Sequence, residues 1–350
     1  MSPELILAGI AALFGALIGS FLNVVVYRLP RNESVVTPRS RCPQCGTMVV
    51  WYDNIPVVSW LVLRGRCRHC GNPISIQYPL VEAAVALAWG GSVWYIGPTW
   101  EALSAAVFVT LLIGILLTDA QHYIIPDELS LGGLGVGMAF AIIADATGLG
   151  VKAVLLAVYL GAAWLSLVLE KRQARREAAA PADAPRPVGP AAFDLVVMLP
   201  LVLVWIAHWA AQRLGGAPAY SASTVGFACA GALLGFGLLW LVKAAGDLAL
   251  RRGWIGGQEI TDTLGQDEPV TAMGGGDLKM MAMIGSFLGW RGVLLTIFLG
   301  ALTGTVVYLP FFFRKQKPLV PFGIYLALGA FVTLVAGARL YAWYTLFLEP

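Results

Sequence analysis

The amino-acid sequence predicts an all-α polytopic membrane protein, with about 8–10 transmembrane helices and a small cytoplasmic zinc-binding domain. Hydrophobic residues make up 58% of the chain and charged residues only 12%, whereas soluble proteins carry about 25% charged residues. The apolar residues form long runs that basic clusters separate, and two cysteine pairs lie within one polar segment. This composition excludes an ordinary soluble domain.

The apolar runs approach the length of about 17–25 residues that crosses the hydrocarbon core of a bilayer. The predicted spans cover residues 5–26, 80–97, 100–118, 129–147, 151–169, 194–213, 222–243, 278–289, 291–313 and 321–345. The run 278–289 is short enough to be a half-span or a re-entrant helix. The first run follows Glu4 rather than a basic segment, so it does not have the pattern of a removable signal peptide.

Basic clusters predict the orientation of these spans, because lysine and arginine accumulate in cytoplasmic loops. Alternating spans place every cluster on one face, which we expect to be cytoplasmic, with the N-terminus outside. The clusters are Arg28 to Arg68, Lys171 to Arg176, Lys243 to Arg252 and Arg314 to Lys317.

The predicted domains follow the polar segments. Residues 1–27 form the first transmembrane helix, residues 28–79 the small cytoplasmic domain, and residues 80–350 the main membrane domain. Within the membrane domain, residues 151–213 look like an added helix pair with a basic, Ala/Pro-rich linker, which is typical of a flexible segment. Residues 244–276 form a cytoplasmic loop with the acidic residues Glu259, Asp262, Asp267 and Glu268.

The cysteine pairs, Cys42 with Cys45 and Cys67 with Cys70, have the spacing C-x2-C-x21-C-x2-C, and a glycine closes each pair. Each pair places two thiolates on one tight turn, so two turns complete a tetrahedral sulfur site that suits zinc. Two disulfides or four buried thiols are the alternatives, and a reducing cytoplasm argues against the disulfides. Because four protein ligands leave no open position, we expect this zinc to stabilise a small domain rather than to catalyse.

Two carboxylates lie at the ends of apolar runs, Asp119 after residues 116–118 and Asp277 after a glycine triplet. A carboxylate at the edge of a bilayer costs several kcal/mol unless water or a partner receives it, so both are functional candidates. Paired carboxylates perform acid/base chemistry, and the predicted topology permits these two to meet. The alternative is that each is an interfacial residue at a helix end.

Six segments in order resemble the type IV prepilin peptidases, which are bifunctional leader peptidases and N-methyltransferases with a GxGD motif. They are residues 19–30 (GSFLNVVVYRLP), 51–60 (WYDNIPVVSW), 77–82 (QYPLVE), 119–127 (DAQHYIIPD), 274–279 (GGGDLK) and 321–329 (PFGIYLALG). The family usually has about eight spans, so residues 151–213 are a departure. An even number of added crossings preserves the sidedness of all later segments.

The resemblance implies that Asp119 and Asp277 are a catalytic dyad, with Gly274 and Gly276 as supporting backbone. Lys279, two residues past Asp277, either modulates that carboxylate or extends to the lipid headgroups, and the sequence does not separate the two. Two adjacent carboxylates share one proton, so the ionised one activates water and the protonated one polarises the scissile carbonyl. Glycines let the backbone unwind there, and non-helical backbone at membrane depth implies a wet cavity.

The resemblance also implies the substrates, which are prepilins and pseudopilins cut after a glycine at the cytoplasmic face of the bacterial inner membrane. The new N-terminal residue is then methylated with S-adenosylmethionine. We expect no nucleic-acid partner, and we expect the basic face of the zinc domain to attract anionic lipids. The acidic loop is hypothesised to attract the basic leader.

Two other functions share some of these features. Another GxGD intramembrane protease would share the second motif, but presenilin-type proteins have a Tyr-Asp first motif and a Pro-Ala-Leu tail. An ion-coupled transporter would use two acids to bind its ion, although such proteins often show internal repeats, which are not evident here. Asp127, Glu82 and Asp194 are predicted to stabilise helix N-termini.

Overall fold

The structure is a computed structural model, and it describes residues 2–178, 192–215, 223–252, 254, 272–313 and 321–346. Nearly all regular structure in these residues is helical, which confirms the predicted fold class. In chain order the helices are α1 (Pro3–Arg28), α2 (Val58–Val62), α3 (Gln77–Ile96), α4 (Trp100–His122), α5 (Asp127–Ala144), α6 (Leu149–Ala178), α7 (Ala192–Gly215), α8 (Thr224–Arg251), α9 (Gly275–Phe313) and α10 (Phe322–Leu346). Short 3₁₀ turns occupy Leu29–Arg31 and Trp51–Asn54.

Within the described residues, 8 helices are long and apolar enough to cross a membrane. They are α1, α3, α4, α5, α6, α8, α9 and α10. The helix α7 coincides with the predicted span 194–213 and contains Pro200. The predicted spans 278–289 and 291–313 both lie in α9, whose backbone leaves the helical conformation at Gly289 with φ 66° and ψ −177°. Only glycine adopts such a φ readily, and the ring of Phe227 fills the space that a side chain would need.

The chain forms two compact units, Met1–Gly133 with Thr296–Pro350, and Leu134–Leu295. In the first unit, α1 packs closely along α3 because glycines replace side chains at the contact. A Cβ atom at Gly15 would lie 2.7 Å from Trp89 Cβ, and one at Gly19 would lie 2.8 Å from Glu82 Cα. Trp89 continues the packing to α4, where its indole nitrogen donates a hydrogen bond of 3.1 Å to Thr110 Oγ1.

The second unit is also held by close backbone packing. Gly231 in α8 lies against the backbone of Gly285 in α9, where neither position leaves room for a side chain. A buried polar cluster supports the N-terminal end of α8. Ser223 caps that helix and donates a hydrogen bond of 2.9 Å to Asp145 Oδ2, and its hydroxyl lies 2.6 Å from His208 Nε2.

Candidate functional site

The four paired cysteines lie together in the first unit. Their sulfur atoms all lie within 4.8 Å of one another, and those of Cys42 and Cys70 are 3.9 Å apart. A tetrahedral zinc with Zn–S bonds of about 2.3 Å separates its sulfurs by about 3.8 Å. All four thiols are free rather than disulfide-bonded. The donor set therefore fits zinc and does not support the disulfide alternative.

The two cysteine pairs form two turns of the same kind. This explains why a glycine follows each pair in the sequence. Gly46 N donates to Cys42 O and Gly71 N donates to Cys67 O, both at 2.9 Å. The two glycines have φ values of 72° and 70°, in the left-handed region that glycine tolerates best. The repeated turn directs two sulfurs from each pair toward a common point.

The pKa values of the cysteine thiols are also consistent with a cation between the four sulfurs. The hydroxyl and then the backbone of Thr47 lower the pKa of Cys45 to about 6. The Asn72 amide lowers the pKa of Cys70, but burial and the neighbouring sulfurs outweigh it and raise that pKa to about 11. Four sulfurs this close cannot all ionise without a positive charge between them. A divalent metal would supply that charge.

A bidentate ion pair stabilises the second cysteine turn. Arg68 Nε lies 2.8 Å from Asp53 Oδ2, and Arg68 Nη2 lies 2.6 Å from Asp53 Oδ1. Because Arg68 follows Cys67 directly, this pair connects the metal turn to the 3₁₀ turn that carries Asp53. Hydrogen bonding from Arg68 lowers the pKa of Asp53. Arg28, at the end of α1, is buried and donates to Ser34 O and Pro38 O, both at 2.8 Å.

Asp119 lies in the last turn of α4 and is only 6% exposed. The helix ends three residues later, where Tyr123 adopts a left-handed φ of 54° and donates from its amide to Asp119 O. The Asp119 carboxylate faces the first turn of α10, and its Oδ2 accepts a hydrogen bond of 3.1 Å from Ile324 N. Amides in the first turn of a helix have no intrahelical partner and favour a negative charge. The fold thus provides a hydrogen-bond donor for this buried carboxylate.

Gly323 makes this approach possible. A Cβ atom at that position would lie 2.7 Å from Asp119 Oδ2 and 3.0 Å from Ile125 Cδ1. Any side chain there would displace the carboxylate from the Ile324 amide. Two of the motif segments, which are separated by about two hundred residues of sequence, therefore meet at Asp119.

Asp277 lies in the first turn of α9, in the second unit, and is partly exposed. A Cβ atom at Gly274 would lie 3.7 Å from Asp277 Oδ2, which is an ordinary van der Waals contact. The residues before the glycine triplet are tied to α8, because Ala272 N donates a hydrogen bond of 2.7 Å to Asp247 Oδ1. The other oxygen of Asp247 accepts from Lys243 Nζ at 3.1 Å.

Two other residues named from the sequence, Asp127 and Lys279, lie near the starts of helices. Asp127 lies in the first turn of α5. Lys279 is partly exposed in α9, two residues after Asp277. The acidic loop residues Glu259, Asp262, Asp267 and Glu268, much of the linker at 171–192, and the side chain of Asp194 lie outside the described part of the chain.

Three residues of these surroundings were not anticipated from sequence. Asp247 carries no motif, yet it anchors the segment that leads to the glycine triplet. Glu82 was expected only at a helix N-terminus, but it is buried and its Oε2 accepts from Val57 N at 2.7 Å. Asn23 is buried and joins α1 to α3 through a hydrogen bond of 3.1 Å to Tyr78 O. The signal available was polarity within apolar runs, which marks Asn23 as it marks Asp119.

Two protein-family models match parts of the chain. A family model described as the bacterial peptidase A24 N-terminal domain matches residues 13–96, and one described as the type IV leader peptidase family matches residues 194–309. No solved structure matches the chain.

Several curated relatives are named prepilin leader peptidase/N-methyltransferase. One from Myxococcus xanthus is 47% identical over 127 residues, which are 36% of this chain and 38% of the relative. One from Stutzerimonas stutzeri is 28% identical and covers 96% of this chain and 93% of its own length. One from Pseudomonas aeruginosa is 28% identical and covers 96% and 92%. Because two models of one peptidase family match in chain order and relatives that share one name align over nearly the whole length, the chain belongs to the type IV prepilin leader peptidase family.

Proposed function

We propose that this protein is a bifunctional enzyme of the bacterial inner membrane that removes the basic leader from type IV prepilins and pseudopilins and then methylates the new N-terminus. The relatives that align over nearly all of the chain carry both activities in their name. The structural observation that best supports the peptidase activity is the Asp119 carboxylate, which is buried and accepts a hydrogen bond from the Ile324 amide. Family membership favours this function over a presenilin-type protease or an ion-coupled transporter.

Asp119 and Asp277 act as the two carboxylates of the cleavage reaction in this proposal. One is ionised and takes a proton from water, and the other is protonated and polarises the scissile carbonyl. The Ile324 amide donates to Asp119 Oδ2 and so fixes the orientation of that carboxylate. Gly274 and Gly276 allow the backbone to approach the substrate beside Asp277, and Lys279 is a candidate modulator of its charge.

Zinc, held by Cys42, Cys45, Cys67 and Cys70, stabilises the small domain between α1 and α3 and takes no part in the chemistry. That domain is too small to be stable on its hydrophobic core alone. Both catalytic aspartates and the zinc domain lie on the cytoplasmic side, with the N-terminus outside. S-adenosylmethionine supplies the methyl group, and anionic lipids contact the arginines that are not engaged internally.

The proposal is tested with purified full-length protein and a purified prepilin, with and without S-adenosylmethionine. Mass spectrometry should first detect loss of the leader and then, only with the methyl donor present, the addition of one methyl group at the new N-terminus. A prepilin that keeps its leader under conditions where the protein is folded and zinc-loaded would contradict the peptidase half. A cleaved but unmethylated product would contradict only the methyltransferase half.

A further inference from the structure

A cavity of about 650 Å³ lies beneath the zinc domain, within the first unit. Its lining includes the cytoplasmic end of predicted span α1, the metal turns and the first turns of α3. Ligand-binding pockets usually measure about 300–1,000 Å³, so this cavity can hold a compact organic molecule. It is separate from the surroundings described above for Asp119, which does not line it.

One wall of the cavity contains a buried acceptor that has no partner. Asn23 is 4% exposed, and its Nδ2 donates to Gly19 O at 3.3 Å and to Tyr78 O at 3.1 Å. Two carbonyl contacts fix which end of the amide is the nitrogen. The opposite atom, Oδ1, has no hydrogen-bond partner within the described part of the chain. A buried acceptor left unpaired costs about 1–3 kcal/mol, so a ligand that donates a hydrogen bond there would be stabilised.

A buried carboxylate lies beside this acceptor. Glu82 is 8% exposed and lines the same cavity. Its α-carbon lies next to Gly19, the residue whose carbonyl receives Asn23 Nδ2. Its hydrogen bond is to Val57 N, and among the described residues it forms no ion pair. A buried carboxylate without a cation favours a positively charged partner.

A residue in a strained backbone conformation contacts the Glu82 carboxylate, which lines the cavity. Val57 has a φ of 61°, which is unfavourable for a β-branched residue. The 2.7 Å hydrogen bond from its amide to Glu82 Oε2 holds this conformation. Strain of this kind concentrates at ligand sites, where the surrounding structure maintains it.

Three aromatic side chains also line the cavity, and two of the three arginines in its lining are already engaged. Tyr27, Trp60 and Tyr78 line the cavity, and aromatic side chains of this kind stack on purine rings. Arg28 donates to backbone carbonyls and Arg68 to Asp53. The cavity therefore combines one unpaired amide acceptor, one carboxylate without a cation and aromatic surface, which suits a cationic ligand that has hydrogen-bond donors and an aromatic ring.

We infer that this cavity binds the methyl donor of the proposed methyltransferase, with Asn23 and Glu82 as its polar contacts. The inference rests on the proposed function for the identity of the ligand, and on the cavity for its position. S-adenosylmethionine carries an ammonium, a sulfonium, ribose hydroxyls and an adenine amine, and these are the groups that unpaired acceptors and a carboxylate bind. Binding here places the donor beneath the zinc domain.

The test measures binding, not turnover. Full-length protein is titrated with S-adenosylmethionine by equilibrium dialysis, and its zinc content and thermal unfolding are measured in parallel. Glu82→Gln keeps an oxygen acceptor for Val57 N but removes the charge, and it should weaken binding by about tenfold or more. Ser20→Phe, at another lining residue of α1, should block binding by filling the space. Glu4→Gln is the matched control, because Glu4 is exposed in the first turn of α1 and does not line the cavity.

The outcomes separate the two hypotheses. Wild-type affinity in both Glu82→Gln and Ser20→Phe would overturn the position assigned to the donor, even if methylation is observed. A wild-type protein that cleaves prepilin but binds no S-adenosylmethionine would overturn the methyltransferase half of the proposed function together with this inference. Hydrogen exchange gives an independent readout, since bound donor should slow exchange of the peptide that contains Val57.

Discussion

Replacing Gly323 with alanine should slow leader cleavage while leaving the protein folded. The added Cβ would lie 2.7 Å from Asp119 Oδ2 and 3.2 Å from Asp119 Cγ, whereas unstrained carbon contacts lie at about 3.5–4.0 Å. The carboxylate can relieve this overlap by turning away. A movement of about 0.7 Å would stretch its 3.1 Å hydrogen bond from Ile324 N beyond the range of a good hydrogen bond.

The expected magnitude follows from that lost contact. A hydrogen bond to a charged group contributes about 1.5–3 kcal/mol, which corresponds to about 10–100-fold in rate if it acts mainly in the transition state. A misplacement of about 1 Å in a reacting group has an effect of similar size. Because the proposed role of this carboxylate is in the bond-breaking step, we expect kcat to fall more than KM changes.

The assay is steady-state cleavage of a purified prepilin by full-length protein, with unfolding temperature measured in the same detergent. Gly237→Ala is the matched control, because a Cβ atom at this position in α8 meets nothing within 4 Å and alanine is the better helix former. Wild-type kcat in Gly323→Ala would refute the reasoning. So would a loss of cleavage that merely follows loss of folded protein, or a rise in KM at constant kcat.

Three further predictions concern the surroundings of the site. Cys67→Ser should lower the zinc content below one per chain and make the zinc domain sensitive to protease, because so small a domain needs its metal; a zinc-loaded, protease-resistant variant would contradict the metal centre. Asp247→Ala removes the acceptor of Ala272 N. It should speed hydrogen exchange just before the glycine triplet and lower kcat by about tenfold. Asp247→Asn keeps an acceptor and should have a smaller effect, so equal effects of the two substitutions would contradict the anchoring role of Asp247. Val57→Gly relieves the cost of the positive φ. The free energy of unfolding should rise by about 1 kcal/mol or stay unchanged. A clear loss of stability in unfolding measurements would show that the positive φ at Val57 is not strained.

Local sequence patterns predicted the parts of the structure that depend on neighbouring residues. The cysteine spacing and the following glycines predicted two sulfur turns, because the turn hydrogen bonds join residues only four apart. Apolar length predicted the helices for the same reason. Asp119 was recognisable as a charged residue at the end of an apolar run, without knowledge of what surrounds it.

Contacts between distant segments could not be predicted in this way. Ile324 donates to Asp119, and Gly323 leaves the space for it, but nothing in either segment alone indicates the other. Family resemblance marked both as motifs without giving the contact between them. Glu82 shows the same limit, since its charge suggested a helix N-terminus and its contact with Val57 depends on how the zinc domain folds back.

The break in α9 lies at the boundary between the predicted spans 278–289 and 291–313. The backbone leaves the helical conformation at Gly289, where Phe227 of α8 occupies the space beside the glycine. The sequence pattern predicted this boundary but not its cause. A glycine break of this kind depends on a neighbouring helix, which periodicity along one segment does not describe.

Cleavage of a purified prepilin by Asp119→Asn and Asp277→Asn variants, assayed separately, tests the central claim most directly. Each substitution keeps the size of the side chain but removes its ability to ionise and exchange a proton. The account predicts that each variant stays folded, keeps its zinc and loses cleavage by about a thousandfold or more, while a pilin supplied without its leader is still methylated. Cleavage that survives either substitution in a folded protein would contradict the two-aspartate mechanism.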